Sequence, residues 1–438
     1  MTKSYRLFRL LLLLVMCEKA YATSPNKTID DYYTPDYLRF ENYTYKPYIS
    51  TVQLHPESAE LSFPIIAFNS GERLQLSFDD LDADLKNYNY TVVHCDANWK
   101  PTQWNYSEYI TGFHDEVISE YVYSANTIQS YTHYTLLFPT EGLKITKSGN
   151  YVLKVFQDND EQNCVLTRRF MLCDKKVEIA GTAKAATIIS DRNSKQEIDF
   201  TINNPQFEMN DPYQSLKVTL LQNHRFDNAI TGLKPTFTKP GQLVYDVDEG
   251  NVFTAGNEFR FFEDKQFRAV NEKIAKYVFD ENKQNNIYLL PDESRSFKRY
   301  STQRDINGNY LIRTITGANA AVEADYAYVH FYLPVNEPLK NADVYVFGAL
   351  SNWSYLPDFK MEYDSSVSAY KAAPYLKQGY YNYEYVVVPQ SKLLPDESTF
   401  EGSHYETEND YFILVYYQTF GTYYDQLVGF KRINSAGR

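Results

Sequence analysis

The sequence predicts an all-β protein built from β-sandwich domains in series. Three observations carry that prediction. Aromatic residues make up 16% of the 438, with 41 Tyr and 27 Phe against 3 Trp and 5 Met, and Tyr and Phe suit a pleated, half-buried surface. Period-two segments bounded by turn residues recur along the whole chain. No stretch holds a helical period over several turns. At roughly 100 to 200 residues per domain the length predicts two to four domains.

Taken in order, Lys3, Arg6 and Arg9 precede the apolar run Leu10 to Met16, and Ala20-Tyr21-Ala22 follows before Thr23. This is the pattern of a secretory signal peptide over residues 1–22, cleaved after Ala22. Met16 stands before Cys17 where a lipid-modified cysteine would follow a small residue, which argues against a lipoprotein. The apolar run is shorter than the roughly 20 residues needed to span a bilayer, so no transmembrane span is expected. Residues 23–45 are polar, rich in Asn and Tyr and without alternation, and read as a mobile or surface-bound arm.

The first sandwich is placed at 46–175, with strands such as Arg73-Leu74-Gln75-Leu76-Ser77-Phe78 and Tyr151-Val152-Leu153-Lys154-Val155-Phe156. The second is placed at 176–322, where Glu197-Ile198-Asp199-Phe200-Thr201-Ile202 alternates in the same way. The third is placed at 323–438, after the loop 317–321. The apolar runs 326–333, 344–347, 385–388 and 411–417 read as central sandwich strands.

Composition excludes some functions. Hydrophobic residues at 43% and charged residues at 23% are globular values, and the formal charge is −13. Loss of residues 1–22 removes Lys3, Arg6, Arg9, Lys19 and Glu18 and takes the charge to −16. Nucleic-acid binding draws on a basic footprint, and no Lys/Arg stripe interleaved with aromatics occurs. Acidity by itself serves solubility. Three cysteines remain in the exported chain, Cys95, Cys164 and Cys173. Cys164 and Cys173 bracket one strand, which at about 3.3 Å per residue holds them about 30 Å apart. A bridge from Cys95 to either is open in an oxidising compartment, and buried free thiols are the expected state.

No constellation for catalysis, metal or cofactor stands out. Asp80, Asp82 and Asp84 have the spacing that opens a calcium loop, but Leu85 stands where a Gly must turn and Thr91 where a bidentate Glu is needed. With Asp79 they read as an acidic turn after a strand. The seven histidines, at 55, 94, 114, 133, 224, 330 and 404, show no metal-ligand spacing, and His94 and Cys95 point to opposite faces of a strand. No Gly-x-Ser-x-Gly elbow, phosphate loop or dinucleotide fingerprint is present. Asn26, Asn42, Asn89 and Asn105 sit in Asn-x-Ser/Thr triplets, which matter only in a host that glycosylates them.

Several motifs resemble a known family. They are Leu76-Ser77-Phe78-Asp79-Asp80-Leu81-Asp82-Ala83-Asp84, Tyr90-Thr91-Val92-Val93-His94-Cys95-Asp96-Ala97-Asn98-Trp99, Asn228-Ala229-Ile230-Thr231-Gly232-Leu233 and Gly256-Asn257-Glu258-Phe259-Arg260-Phe261-Phe262. The tail adds Glu401-Gly402-Ser403-His404-Tyr405-Glu406-Thr407-Glu408-Asn409 and Val415-Tyr416-Tyr417. Together they resemble the plug protein family of the Bacteroidetes type IX secretion system, over about residues 48–430. The resemblance implies a non-catalytic periplasmic protein at the inner face of the outer membrane, without cofactors. Its implied partner is the outer-membrane barrel translocon of the SprA class, whose periplasmic mouth it would seal. A second resemblance concerns the last domain. Val344-Tyr345-Val346-Phe347-Gly348-Ala349-Leu350-Ser351-Asn352-Trp353, followed by 379–388, is similar to the early-set, immunoglobulin-like sandwich of starch- and glycogen-binding modules. Trp353 matches an aromatic that stacks on sugar there, while Glu384 falls where a sugar-contacting Lys is expected and Gln390-Ser391 where a second Trp is expected. The alternative it implies is a periplasmic carbohydrate-binding protein using this C-terminal module.

Overall fold

The computed structural model describes residues 38–437 apart from 268–269, 316 and 392–393. The expected signal peptide and residues 23–37 of the arm lie outside the described residues. The all-β class holds: strands dominate, and the helices are single turns such as Pro212–Ser215 and Ala320–Glu323.

The first core, over 49–172, lies between two sheets. One sheet runs Tyr43–Thr44, Cys164–Cys173, Gly149–Gln157, Tyr88–Cys95 and Glu116–Val117. The other runs Ile49–Pro56, Leu74–Asp80, Thr132–Phe138 and Glu120–Tyr123. The period of two does what the sequence predicts: Leu74, Leu76 and Phe78 share one buried face. There Phe78, Tyr88 and Tyr134 form a triangle with ring centroids 5.2, 5.1 and 4.9 Å apart, a geometry that adds to their buried area. The end of the arm is surface-bound as an edge strand, Tyr43 opposite Thr167 and Thr44 opposite Leu166. Asn42 Oδ1 accepts the Arg169 N–H and the Phe40 carbonyl accepts from Arg169 Nε.

The second and third cores correct the expected succession 176–322 then 323–438. The second core joins Val177, Ile198, Phe200, Val218, Leu220 and Phe253 to Tyr411, Ile413, Val415 and Val428. Strand Asp410–Gln418 lies between Leu216–Gln222 and Asp425–Asn434, with Leu220 opposite Ile413 and Leu216 opposite Tyr417. The third core runs from Phe262 to Phe400, and its strand Arg260–Glu263 pairs with Gly379–Pro389. The third sandwich is therefore inserted into the second, and no boundary falls at 322/323. The chain leaves the second core near Gly256 and returns near Thr407. These two crossings lie side by side: the Gly256 N–H donates to Ser403 Oγ, Thr407 Oγ1 to the Gly256 carbonyl, and Asn257 Nδ2 to the Glu401 carbonyl. A continuous apolar run such as 411–417 suits the centre of any sheet, so its composition does not say which core it joins.

Cys95, Cys164 and Cys173 are free and buried, and burial pushes each thiol up to about 12. A thiol held protonated at neutral pH is a poor nucleophile.

Candidate functional site at the junctions between the cores

The acidic residues singled out in the sequence separate into two groups. Asp80, Asp82 and Asp84 converge on one ammonium, Lys86 Nζ, at 2.8, 2.7 and 2.8 Å. The chain thus supplies its own cation where a calcium loop would take one. Glu197, Asp199 and Asp246 also converge, and Lys184 Nζ lies 3.1 and 2.5 Å from the first two. Asp79, expected in a turn, instead lies inside strand Leu74–Asp80 with no exposed surface.

Asp79 joins the first sandwich to the third. Its Oδ2 accepts from Lys377 Nζ at 2.5 Å and from the Tyr326 hydroxyl at 2.6 Å, while His133 Nδ1 lies 2.6 Å from Oδ1. Tyr326 and Lys377 stand opposite each other on paired strands, which places both side chains on the same face toward Asp79. Lys377 Nζ also donates to the Ala321 carbonyl at 2.7 Å and sits 4.0 Å from the Tyr131 ring centroid. Burial by itself would raise the Asp79 carboxyl, but the Lys377 ammonium and the His133 contact outweigh it and hold it below the usual range. Nearby, the Asp325 carboxylate accepts the N–H groups of Ile128 and Gln129 at 2.7 and 3.0 Å.

The first and second sandwiches share a small core of their own, in which Phe63, Ala97 and Met171 meet Phe412, Leu414 and Tyr416. The Asp425 carboxylate accepts the Ala97 N–H at 3.0 Å and Lys217 Nζ at 2.8 Å. Tyr416 donates to Asn150 Oδ1 at 2.9 Å.

The second and third sandwiches meet at Arg225, whose side chain is 3% exposed. Its guanidinium reaches Asp227 at 2.6 Å, Glu397 at 2.5 Å and Glu384 at 3.8 Å. Three carboxylates around one guanidinium leave excess negative charge. Burial, then the neighbouring Glu397, pushes Glu384 well above the carboxylate range. The Arg225 guanidinium lies 5.3 Å from the centre of the Trp353 ring, which also meets Phe259 and Phe347 edge-on at 5.9 and 5.5 Å. Trp353, the candidate sugar platform, is half-buried in this junction. A sugar stacking on the ring face turned to Arg225 would have to displace that guanidinium. We expect the full chain, titrated calorimetrically with glucans and mannans, to give no saturable heat; binding abolished by Trp353→Ala would favour the carbohydrate reading. The full chain is the right material, because residues 323–438 alone cut through both the second and third cores.

A cleft of about 740 Å³ opens where the three sandwiches meet. Several charged groups around it have partners within the chain: Arg73 pairs with Glu57 at 2.8 Å, Arg432 with Asp410 at 2.8 Å, and Asp305 accepts the N–H groups of Phe259 and Asn307. His224 beside it is wedged against Phe63 and Phe412, and burial lowers it to about 4.

Comparison with known proteins bears on these junctions. The chain is 32% identical to a hypothetical protein from Parabacteroides merdae ATCC 43184 whose crystal structure is known at 2.30 Å; the match covers 91% of this chain and 100% of the other, with a TM-score of 0.87. Residues 49–174 match the family model described as type 9 secretion system plug protein 1st domain. The chain carries the first domain of the type 9 secretion system plug protein family. Native alpha-2-macroglobulin from Escherichia coli, spanning domains NIE-MG1, is 9% identical over 46% of this chain and 89% of that one, with a TM-score of 0.16. No curated protein matches the chain. The motifs singled out in the sequence fall at the junctions just described: Asp79 in the first, Ala97 in the second, Gly256 to Arg260 and Glu401 to Asn409 at the double crossing, and Tyr416 in the shared core. Lys377, Tyr326 and Arg225, which complete those contacts, stand outside every motif singled out in the sequence. Among the described residues, no helix is long and apolar enough to cross a membrane.

Proposed function

We propose that this plug-family chain is a non-catalytic periplasmic plug that occludes the periplasmic opening of the outer-membrane type IX translocon of the SprA class. The plug-family first domain supports the secretion role. The observation that carries the mechanical part is the joining of all three cores by buried contacts at Asp79, Asp425 and Arg225. Steric occlusion needs a body that does not flex open under load, and three sandwiches tied by buried charge pairs and a shared apolar core meet that need. Sealing requires no bond making or breaking. A seal of this kind needs an interface of roughly 1,200 Å² or more.

The test is made on native membranes. In detergent extracts the chain should co-purify with the translocon barrel, and its deletion should leave the barrel assembled but leaky to periplasmic solutes. A purified translocon that never carries the chain, with neither leak nor secretion altered by the deletion, would sink the proposal.

A further inference from the structure

We infer that the hairpin tip between strands Asp410–Gln418 and Asp425–Asn434 is a preformed aromatic anchor that docks into an apolar pocket at the periplasmic rim of the translocon. This inference rests on the plug reading above.

Phe420 is 96% exposed and Tyr423 89% exposed, three residues apart on one tip. Single exposed apolar side chains need no explanation, but this pair has two further properties. First, residues 418–424 carry no charge, so two large rings project from a strongly acidic protein on an uncharged support. Second, the tip is held in place. Thr422 donates through its N–H and its Oγ1 to the Thr419 carbonyl at 3.0 and 2.8 Å, and Gln418 Nε2 donates to the Thr422 carbonyl at 2.9 Å. Gly421, at φ +79°, takes the left-handed turn position.

The base of the hairpin is fastened to the neighbouring sandwich. Tyr424 donates to the Ser148 carbonyl at 2.7 Å and lies 5.3 Å from the Trp104 ring, and Asp425 holds the Ala97 N–H and Lys217. A segment belonging to the second sandwich is thus braced on the first, with its rings left in solvent. Such bracing removes much of the ordering cost of binding, and aromatic side chains are enriched among the residues that dominate interfaces.

Charge selects the occupant. A second copy of a chain of net charge −13 is repelled, as is an anionic lipid surface. A protein pocket with apolar walls and a neutral or basic rim has neither objection.

The experiment compares the full-length chain, Phe420→Ala/Tyr423→Ala, and Phe297→Ala, a control whose ring is fully exposed in the third sandwich. Both variants should melt like wild type, because the removed rings contact solvent. Each is measured for co-purification with the translocon and for flotation with phosphatidylcholine vesicles. The expected result is translocon association at least about tenfold weaker for the tip variant, unchanged for the control, and no vesicle binding by any form. Equal association of all three overturns the anchor while leaving the plug reading intact. Vesicle binding by wild type that the tip variant loses overturns it in favour of a lipid occupant. Failure of wild type to associate overturns the plug reading, and the anchor with it.

Discussion

Lys377→Met should destabilise the folded chain by about 3 to 5 kcal/mol, the range for removing one partner of a buried charge pair. Lys377 is 1% exposed and Asp79 has no exposed surface, so the deleted ammonium cannot be replaced by water without opening the junction. The Tyr326 hydroxyl and His133 remain on the carboxylate, but the Lys377 ammonium beside it is gone. Chemical denaturation read by tyrosine fluorescence gives the loss directly. Asp79→Asn combined with Lys377→Met should recover part of it, since no uncompensated charge is then buried. The pair also ties two sandwiches, so the single variant should speed backbone hydrogen exchange along Leu74–Asp80 and Tyr326–Pro334 together. Exchange raised on one side only, or a loss below about 1 kcal/mol, would show that the junction is held elsewhere.

Which parts of this arrangement were legible in the sequence follows from how local each signal is. The alternation at 73–78, 151–156 and 197–202 marks strands Leu74–Asp80, Gly149–Gln157 and Lys195–Asn203, because a period of two is written into adjacent residues. The runs at 326–333 and 411–417 mark strands for the same reason. Their partners are not so written: Asp410–Gln418 crosses about 190 positions to reach Leu216–Gln222, and an apolar strand fits either core. The Asp79–Lys377 pair spans 298 positions, and nothing near Lys377 distinguishes it from a solvated lysine. Lys86 is the counter-example. It stands two residues after Asp84, and weighing it with the three aspartates would have predicted the internal ion cluster. Trp353 was legible as an aromatic in a sugar-platform motif, yet its role depends on Arg225, which arrives from another domain.

Asp79 and Asp264 are both buried carboxyls, but Asp79 is paired with the Lys377 ammonium, and the two have opposite pH signatures. Asp264 is 1% exposed. Its Oδ1 accepts the Gly379 N–H at 2.7 Å, while Oδ2 is buried without a hydrogen-bond partner among the described residues. Burial raises it to about 7, and the Gly379 N–H offsets only part of that rise. The folded-state value lies above the unfolded one, so the contribution to stability is fully present below about pH 4, is lost as pH rises from there to about 7, and is constant beyond. Asp264→Asn keeps an acceptor for Gly379 and has no proton to lose. The stability of the variant relative to wild type should therefore climb across that interval by an amount on the order of 4 kcal/mol, and level off above pH 7. Asp305, raised to about 7 by burial against its two backbone N–H bonds, titrates in both proteins and cancels in the difference. Asp79 and Glu401 lose stability in the opposite sense, as pH falls, and cancel likewise. A difference that stays flat from pH 4 to 8 would mean that Asp264 ionises as an ordinary exposed carboxylate, and that the contact between strand Arg260–Glu263 and Gly379 is open to water.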